Sequence, residues 1–267
     1  VRRLIDRFLS VLSLVCRVSV PRPKNFDLSR TDFFFPLIGL LAAAAAGIGA
    51  ALGALVLPGS ALAAALGALG LQYYAFNLFH LDGLLDSADA LLPAVDRERC
   101  FAILKDSRIG SYAFAAGLFV IAVKALALAE AIRLASGSSI AIRLSIFAYP
   151  VAGRAAAAFV PLVSKPAKKE VLGSSMTGFS PLGWAAGSAL ALSPFGAVLA
   201  LGPGAAGLAR VSIFYIVCTA SACAVGLALS KAYRAKLGGF TGDALGASVE
   251  LAETLFLVLG VAILARL

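Results

Sequence analysis

Three aspartates at the end of a long apolar stretch carry the strongest chemical signal in this chain. The segment is Asn77-Leu-Phe-His80-Leu-Asp82-Gly83-Leu-Leu-Asp86-Ser-Ala-Asp89. At helical spacing Asp82, Asp86 and Asp89 fall within about 60° of one another on one face. Carboxylates so arranged repel each other and are costly beside lipid. A divalent cation removes that repulsion, and hard cations such as Mg²⁺ take oxygen ligands and bridge to substrate phosphates. A solvated helix end would carry two acids without purpose. Three on one stripe, with Gly83 thinning the wall beside them, favour a metal site. His80 is the only histidine, and both a structural role and a direct contact with substrate stay open.

Two further segments offer phosphate chemistry. Lys105-Asp106-Ser107-Arg108-Ile109-Gly110 combines a point charge with a planar fork of donors, both suited to phosphate. Asp106 there could complete a metal site or orient Arg108. Leu237-Gly238-Gly239-Phe240-Thr241-Gly242-Asp243 reads as a glycine-rich turn entering a helix. Such a turn exposes backbone N–H groups at the positive end of the helix dipole, where an anion is stabilised. Gly239, Thr241 and Gly242 are the candidates for that contact, and Thr241 could cap the helix. Asp243, Glu250 and Glu253 share a face within about 80°. Arg154 follows Tyr149-Pro150-Val-Ala-Gly153 inside an apolar run. A buried arginine in lipid needs a partner, and a phosphate or a structural carboxylate would serve equally. Lys124 and Glu130 read as a simple intramembrane pair with no chemistry assigned.

The elements that must position these groups are membrane helices. Of the 267 residues 61% are hydrophobic, against about 45–50% in a soluble domain. Seven stretches are long enough to cross the bilayer, at 33–57, 61–80, 110–132, 141–163, 183–202, 208–230 and 243–265. Pro194 is expected to kink the fifth. Gly49 and Gly53 suit close helix packing in the first. The arm 1–32 reads as a retained amphipathic helix lying at the interface rather than a cleaved leader. The expectation is therefore an all-α polytopic helix bundle, one integral membrane domain over 1–267 with the bundle in 33–267.

Charge sets the orientation. The arm holds seven Lys and Arg, 93–109 holds four, 164–182 three including Lys169, and 231–242 three. The turn near Pro58 and the connection near Gly204 hold none, 133–140 holds only Arg133, and the tail holds Arg266. Basic connections stay inside, which puts the N-terminus and all three motifs on the cytoplasmic face. The net charge of +9 reads as orientation and phosphate handling, with no nucleic acid as partner. Cys16, Cys100, Cys218 and Cys223 form no CxxC pair, which argues against a disulfide framework or zinc.

Taken together, the motifs resemble the cobalamin synthase family (adenosylcobinamide-GDP ribazoletransferases). The matching segments are Pro21-Arg22-Pro23, PLIGLL at 36–41, HLDGLLDSADAL at 80–91, LKDSRIG at 104–110, Gly153-Arg154 and LGGFTGDALGASVELAE at 237–253. They keep the family's order over nearly the whole chain. Ala90 and Ala113 stand where the family usually has glycine, and 165–173 is poorly matched.

The resemblance implies a Mg²⁺-dependent transferase in a bacterial or archaeal cytoplasmic membrane. It would join adenosylcobinamide-GDP to α-ribazole or α-ribazole 5′-phosphate and release GMP, which completes cobalamin assembly. In that reading Asp82, Asp86 and Asp89, with Asp106 or Asp243, hold one or two Mg²⁺. Lys105, Ser107, Arg108 and Arg154, with His80 and the glycine turn, bind substrate. Asp89 or Asp243 takes the hydroxyl proton. The lipid bilayer is a partner, and a homo-oligomer stays open. A CDP-alcohol-type phosphotransferase or an aspartate-rich prenyltransferase would also use an aspartate stripe. The former usually has an Ala-Arg pair after its first Asp-Gly, where this chain has Leu84-Leu85-Asp86. A cation or solute transporter is the reading from another class, but its repeated halves and mid-membrane breaks are absent from the sequence.

Overall fold

The computed structural model describes residues 1–168, 172–201 and 205–264. Lys169, Gly204, Arg266, residue 202 of the fifth expected span and residue 265 of the seventh lie outside it. Among the described residues the regular elements are all helical, apart from one isolated bridge between Pro166 and Phe240. Seven helical stretches are long and apolar enough to cross a membrane: Phe34–Val56, Ala61–Leu91, Ser111–Gly137, Ile140–Val163, Pro181–Ala200, Gly207–Leu237 and Gly242–Leu264. The protein is a multi-pass membrane bundle.

The elements run as α1 (Arg2–Val15), α2 (Phe34–Val56), α3 (Ala61–Gln72), α4 (Leu78–Leu91), α5 (Arg97–Ile103) and α6 (Ser111–Leu134). There follow α7 (Ile140–Ser145), α8 (Tyr149–Val163), α9 (Pro181–Ala200), α10 (Ala205–Leu237) and α11 (Gly242–Leu264). Two boundaries differ from expectation. The second span does not stop near residue 80. A π-helical turn, Tyr73–Asn77, joins α3 to α4 without a break, so the acidic motif occupies the last turns of one continuous helix. The sixth runs to Leu237 rather than 230, because Ser230 to Lys236 contain no helix breaker. The helix α9 continues through Pro194.

The centre of the bundle is α11, which lies against α4, α6, α8 and α10. Its inward face is small and apolar near the start, with Ala244, Ala247 and Val249 fully buried. Beside it, α2 and α3 form a tight hairpin. A Cβ added to Gly49 would sit 2.2 Å from the Gly67 carbonyl oxygen. Backbone cannot retreat as a side chain can, so Gly49→Val has to force the helices apart. Overpacking costs about 1–3 kcal/mol. We expect about 3 kcal/mol here, measured as a lower unfolding midpoint in detergent.

The arm is tied down rather than loose. In α1, Val11, Leu12 and Val15 are buried while Leu4 and Ile5 are exposed, the division of an amphipathic helix. The chain after α1 folds back along it. Arg7 Nε donates to Asp27 Oδ2 at 3.0 Å, and the amide of Lys24 donates to Asp6 Oδ1 at 3.0 Å. The Arg17 amide donates to the Ala75 carbonyl at 2.8 Å, which fixes the arm against the π turn. Chain order puts the arm, the end of α4, α5, the start of α6, the end of α8 and the turn before α11 at one end of the bundle.

Candidate functional site

At that end α4, α5 and the start of α11 line an open cleft. Asp82, Lys105, Thr241, Gly242 and Asp243 line it, with Phe79 and Phe101 as apolar walls. Three separated sequence motifs therefore meet in one place. Gly83 allows it. A Cβ there would lie 2.9 Å from the Asp243 carbonyl oxygen and 3.1 Å from its Cα, so only glycine lets α4 lie directly on the first turn of α11. Ser87 and the Tyr233 hydroxyl, 2.6 Å apart, fasten α4 to α10 as well.

The acidic stripe divides its labour. The carboxylates of Asp82 and Asp86 accept no hydrogen bond from any described residue. Asp86 lies within electrostatic range of Asp82, Asp89 and Asp243. Asp243 Oδ2 accepts from Thr241 Oγ1 at 2.9 Å, so that hydroxyl orients a carboxylate. Asp89 is occupied elsewhere. Its two oxygens accept from the amides of Gly110 and Ala113 at 2.6 and 2.9 Å. Those are orphan donors at the start of α6, and a carboxylate there also meets the positive end of the dipole.

The other expected residues separate clearly. Asp106 lies outside the cleft lining. It pairs with Arg108 Nη2 at 2.6 Å, and the Arg108 side chain is 87% exposed. The hydrogen bonds from Arg108 hold the Asp106 carboxyl down to about 2. Ser107 is exposed beside them. Gly239 is packed rather than open. A Cβ there would meet the Lys165 carbonyl oxygen at 2.3 Å, and the next amide, of Phe240, donates to that same carbonyl at 2.9 Å. The glycine turn is thus partly consumed by pairing with 165–167. His80 is buried at 3% exposure on α4 where α11 packs, and its Nδ1 has no hydrogen-bond partner among the described residues.

Arg154, a candidate for phosphate, is held inside the bundle by a carboxylate and an amide. It is 1% exposed, with Nη1 donating to Glu253 and Nη2 to Asn77. The expected Lys124–Glu130 pair is also absent. Lys124 Nζ donates to Glu250 at 2.5 Å and to Glu253 at 2.9 Å, while Glu130 pairs with Arg133 one turn along. Two cations and two carboxylates balance in the bundle interior, where an unpaired charge would be costly. Gln72 and Asn77 donate to the same carboxylates at 2.8–3.1 Å, and Tyr73 Oη to Glu250 at 2.6 Å. Tyr149 Oη donates to Gln72. Sequence reading missed this polar core. The signal was present as polar Gln72 and Asn77 within apolar helix, five residues apart. A π turn stacks i on i+5, and Gln72 Nε2 reaches Asn77 Oδ1 at 3.2 Å.

Among the described residues no three His, Cys, Asp or Glu side chains converge to hold a metal alone. Magnesium rarely requires that, because it usually takes one or two carboxylates and completes its shell with substrate phosphate and water. Two carboxylates without partners, a third oriented by Thr241, and only oxygen donors suit such an ion.

A family profile described as cobalamin-5-phosphate synthase matches residues 7–261. The adenosylcobinamide-GDP ribazoletransferase of Escherichia coli (strain K12 / DH10B) is 35% identical, over 94% of this chain and 97% of its own length. The protein of the same name from Klebsiella pneumoniae subsp. pneumoniae is 34% identical, over 96% and 99%. No solved structure matches.

Proposed function

Because this chain belongs to the cobalamin-5-phosphate synthase family, we propose that the cleft bearing Asp82, Lys105 and Asp243 is where its transfer takes place. The enzyme is an adenosylcobinamide-GDP ribazoletransferase and acts at the final stage of cobalamin assembly. That assignment displaces the CDP-alcohol, prenyl-transfer and transporter readings. The observation that carries the site is the convergence of three distant motifs on one cleft.

In the reaction the ribazole hydroxyl oxygen forms a bond to the phosphorus nearest the cobinamide. The bond from that phosphorus to the bridging oxygen breaks, and GMP leaves with that oxygen. Asp82 and Asp86, with Asp243, would hold Mg²⁺, which when bound neutralises charge on the pyrophosphate oxygens. Lys105 adds a point charge at the cleft wall. A carboxylate of this acidic cluster accepts the hydroxyl proton. Asp89 fits that role less well, since its oxygens already accept two amides. Phe79 and Phe101 give the corrinoid an apolar rim beside lipid.

This end faces the cytoplasm in our reading. Among the described residues the opposite end holds only Arg133, Arg143 and Arg210. The basic arm, α5 and the connections after α8 and α10 all lie at the cleft end, as basic loops retained inside would. The test is GMP release by the protein in nanodiscs. Chelation with EDTA is expected to abolish it and added Mg²⁺ to restore it. Full turnover in EDTA would refute the metal assignment.

A further inference from the structure

Behind the glycine turn lies a second, open hollow. Ser164 and Lys165 after α8, Arg234 near the end of α10, and Gly238 line it. The turn 238–242 contributes residues to both this hollow and the aspartate cleft. Gly238 borders one cavity, while Thr241 and Gly242 border the other. The Phe240 between them is fixed on both sides. Its amide donates to the Lys165 carbonyl, and its carbonyl accepts from the Ala167 amide, each at 2.9 Å. Gly238 has φ of 78°, a left-handed turn that suits glycine.

The cavity is cationic. Arg234 Nη2 donates to the Val163 carbonyl at 2.8 Å, which holds the guanidinium at the rim with other donors left over. Lys165 has no ion pair with a described residue. Arg97 of α5 approaches from the far side, its Nη2 lying 3.2 Å from where a Gly238 Cβ would be. No Asp or Glu lines the cavity among the described residues. Lys165 and Arg234 line the hollow and Arg97 stands beside Gly238, and all three cations are exposed to an incoming anion.

We infer that this cavity holds the phosphate monoester of a phosphorylated ribazole acceptor while its hydroxyl reaches the aspartate cleft. The inference rests on the transfer reaction proposed above. A 5-phosphate product, as the family's description has it, requires an acceptor whose own phosphate is not consumed. That phosphate needs cations apart from those serving the pyrophosphate. A lysine point charge with an arginine fork is the usual chemistry for a terminal phosphate.

The test is steady-state kinetics of Lys165→Ala and Arg234→Ala in nanodiscs. Each is assayed with α-ribazole and with α-ribazole 5′-phosphate at saturating adenosylcobinamide-GDP. The readout is the ratio of kcat/KM for phosphorylated over unphosphorylated acceptor. Each variant is expected to lower it about tenfold, the loss for one charged hydrogen bond. A variant that folds badly lowers both arms together and leaves the ratio unchanged. For that reason Lys165→Arg is included, which keeps the charge and should retain the ratio. An unchanged ratio in well-folded Lys165→Ala, shown by a normal unfolding midpoint, overturns the inference. So does a rise confined to KM for adenosylcobinamide-GDP, read in a separate donor titration at saturating acceptor, which would assign the cations to the donor's phosphates. Absence of wild-type turnover with either acceptor would instead remove the transfer reaction on which the subsite rests.

Discussion

Asp82→Asn is expected to lower kcat for GMP release at least about a hundredfold, with the protein still folded. The side chain is exposed in the cleft and accepts no hydrogen bond from described residues, so its removal breaks nothing that holds the bundle together. What is lost is a negative oxygen donor facing the phosphate site. Metal-held charge neutralisation contributes several kcal/mol to such transfers, and about 2.7 kcal/mol is already a hundredfold in rate. The isosteric amide keeps shape and removes charge. Unchanged melting together with a collapse in kcat is the expected pair of results. Near-normal turnover would place the chemistry elsewhere.

Glu253→Gln should behave in the opposite way, as a failure of stability. Glu253 is fully buried and accepts from Arg154, Lys124, Gln72 and Asn77. Removing its charge leaves two cations against Glu250 alone. Breaking a buried pair by deleting one partner costs about 3–5 kcal/mol. The exposed pair Arg133–Glu130 supplies the contrast, since Arg133→Gln should leave the unfolding midpoint unmoved. The measurement is thermal or denaturant unfolding in detergent for both variants. An equal, small shift for each would mean that the polar core does not hold α11 in place.

These two residues also mark what could be read from the chain. The seven spans were legible because hydropathy and length decide them, and the meeting of motifs at one end follows from counting crossings. Asp82, Lys105 and Asp243, which line one cleft, stood out as candidates because carboxylates and cations beside lipid need a reason. Partners inside the bundle were not. Lys124 and Glu130 are six residues apart, about 240° around a helix, so proximity in sequence put them on different faces. Lys124 instead finds Glu250 and Glu253 on another helix.

That Arg154 pairs with Glu253 follows from the packing of α8 on α11, which its own neighbours in sequence do not reveal. The stripe of three aspartates was correct as a helix face, yet Asp89 is drawn off by the start of α6. That depends on where a helix beginning 22 residues later comes to rest. The π turn was hidden for a related reason. Periodicity assumes 3.6 residues per turn, and an inserted residue changes which side chains stack.

The proposed transfer depends most on Asp82 and Asp243 holding one ion together with the substrate's phosphates. Electron paramagnetic resonance of Mn²⁺-loaded protein in nanodiscs with adenosylcobinamide-GDP tests it directly. Phosphorus hyperfine coupling to bound Mn²⁺ is predicted in the wild type, and its loss in Asp82→Asn and in Asp243→Asn. Undiminished coupling in both variants would contradict it.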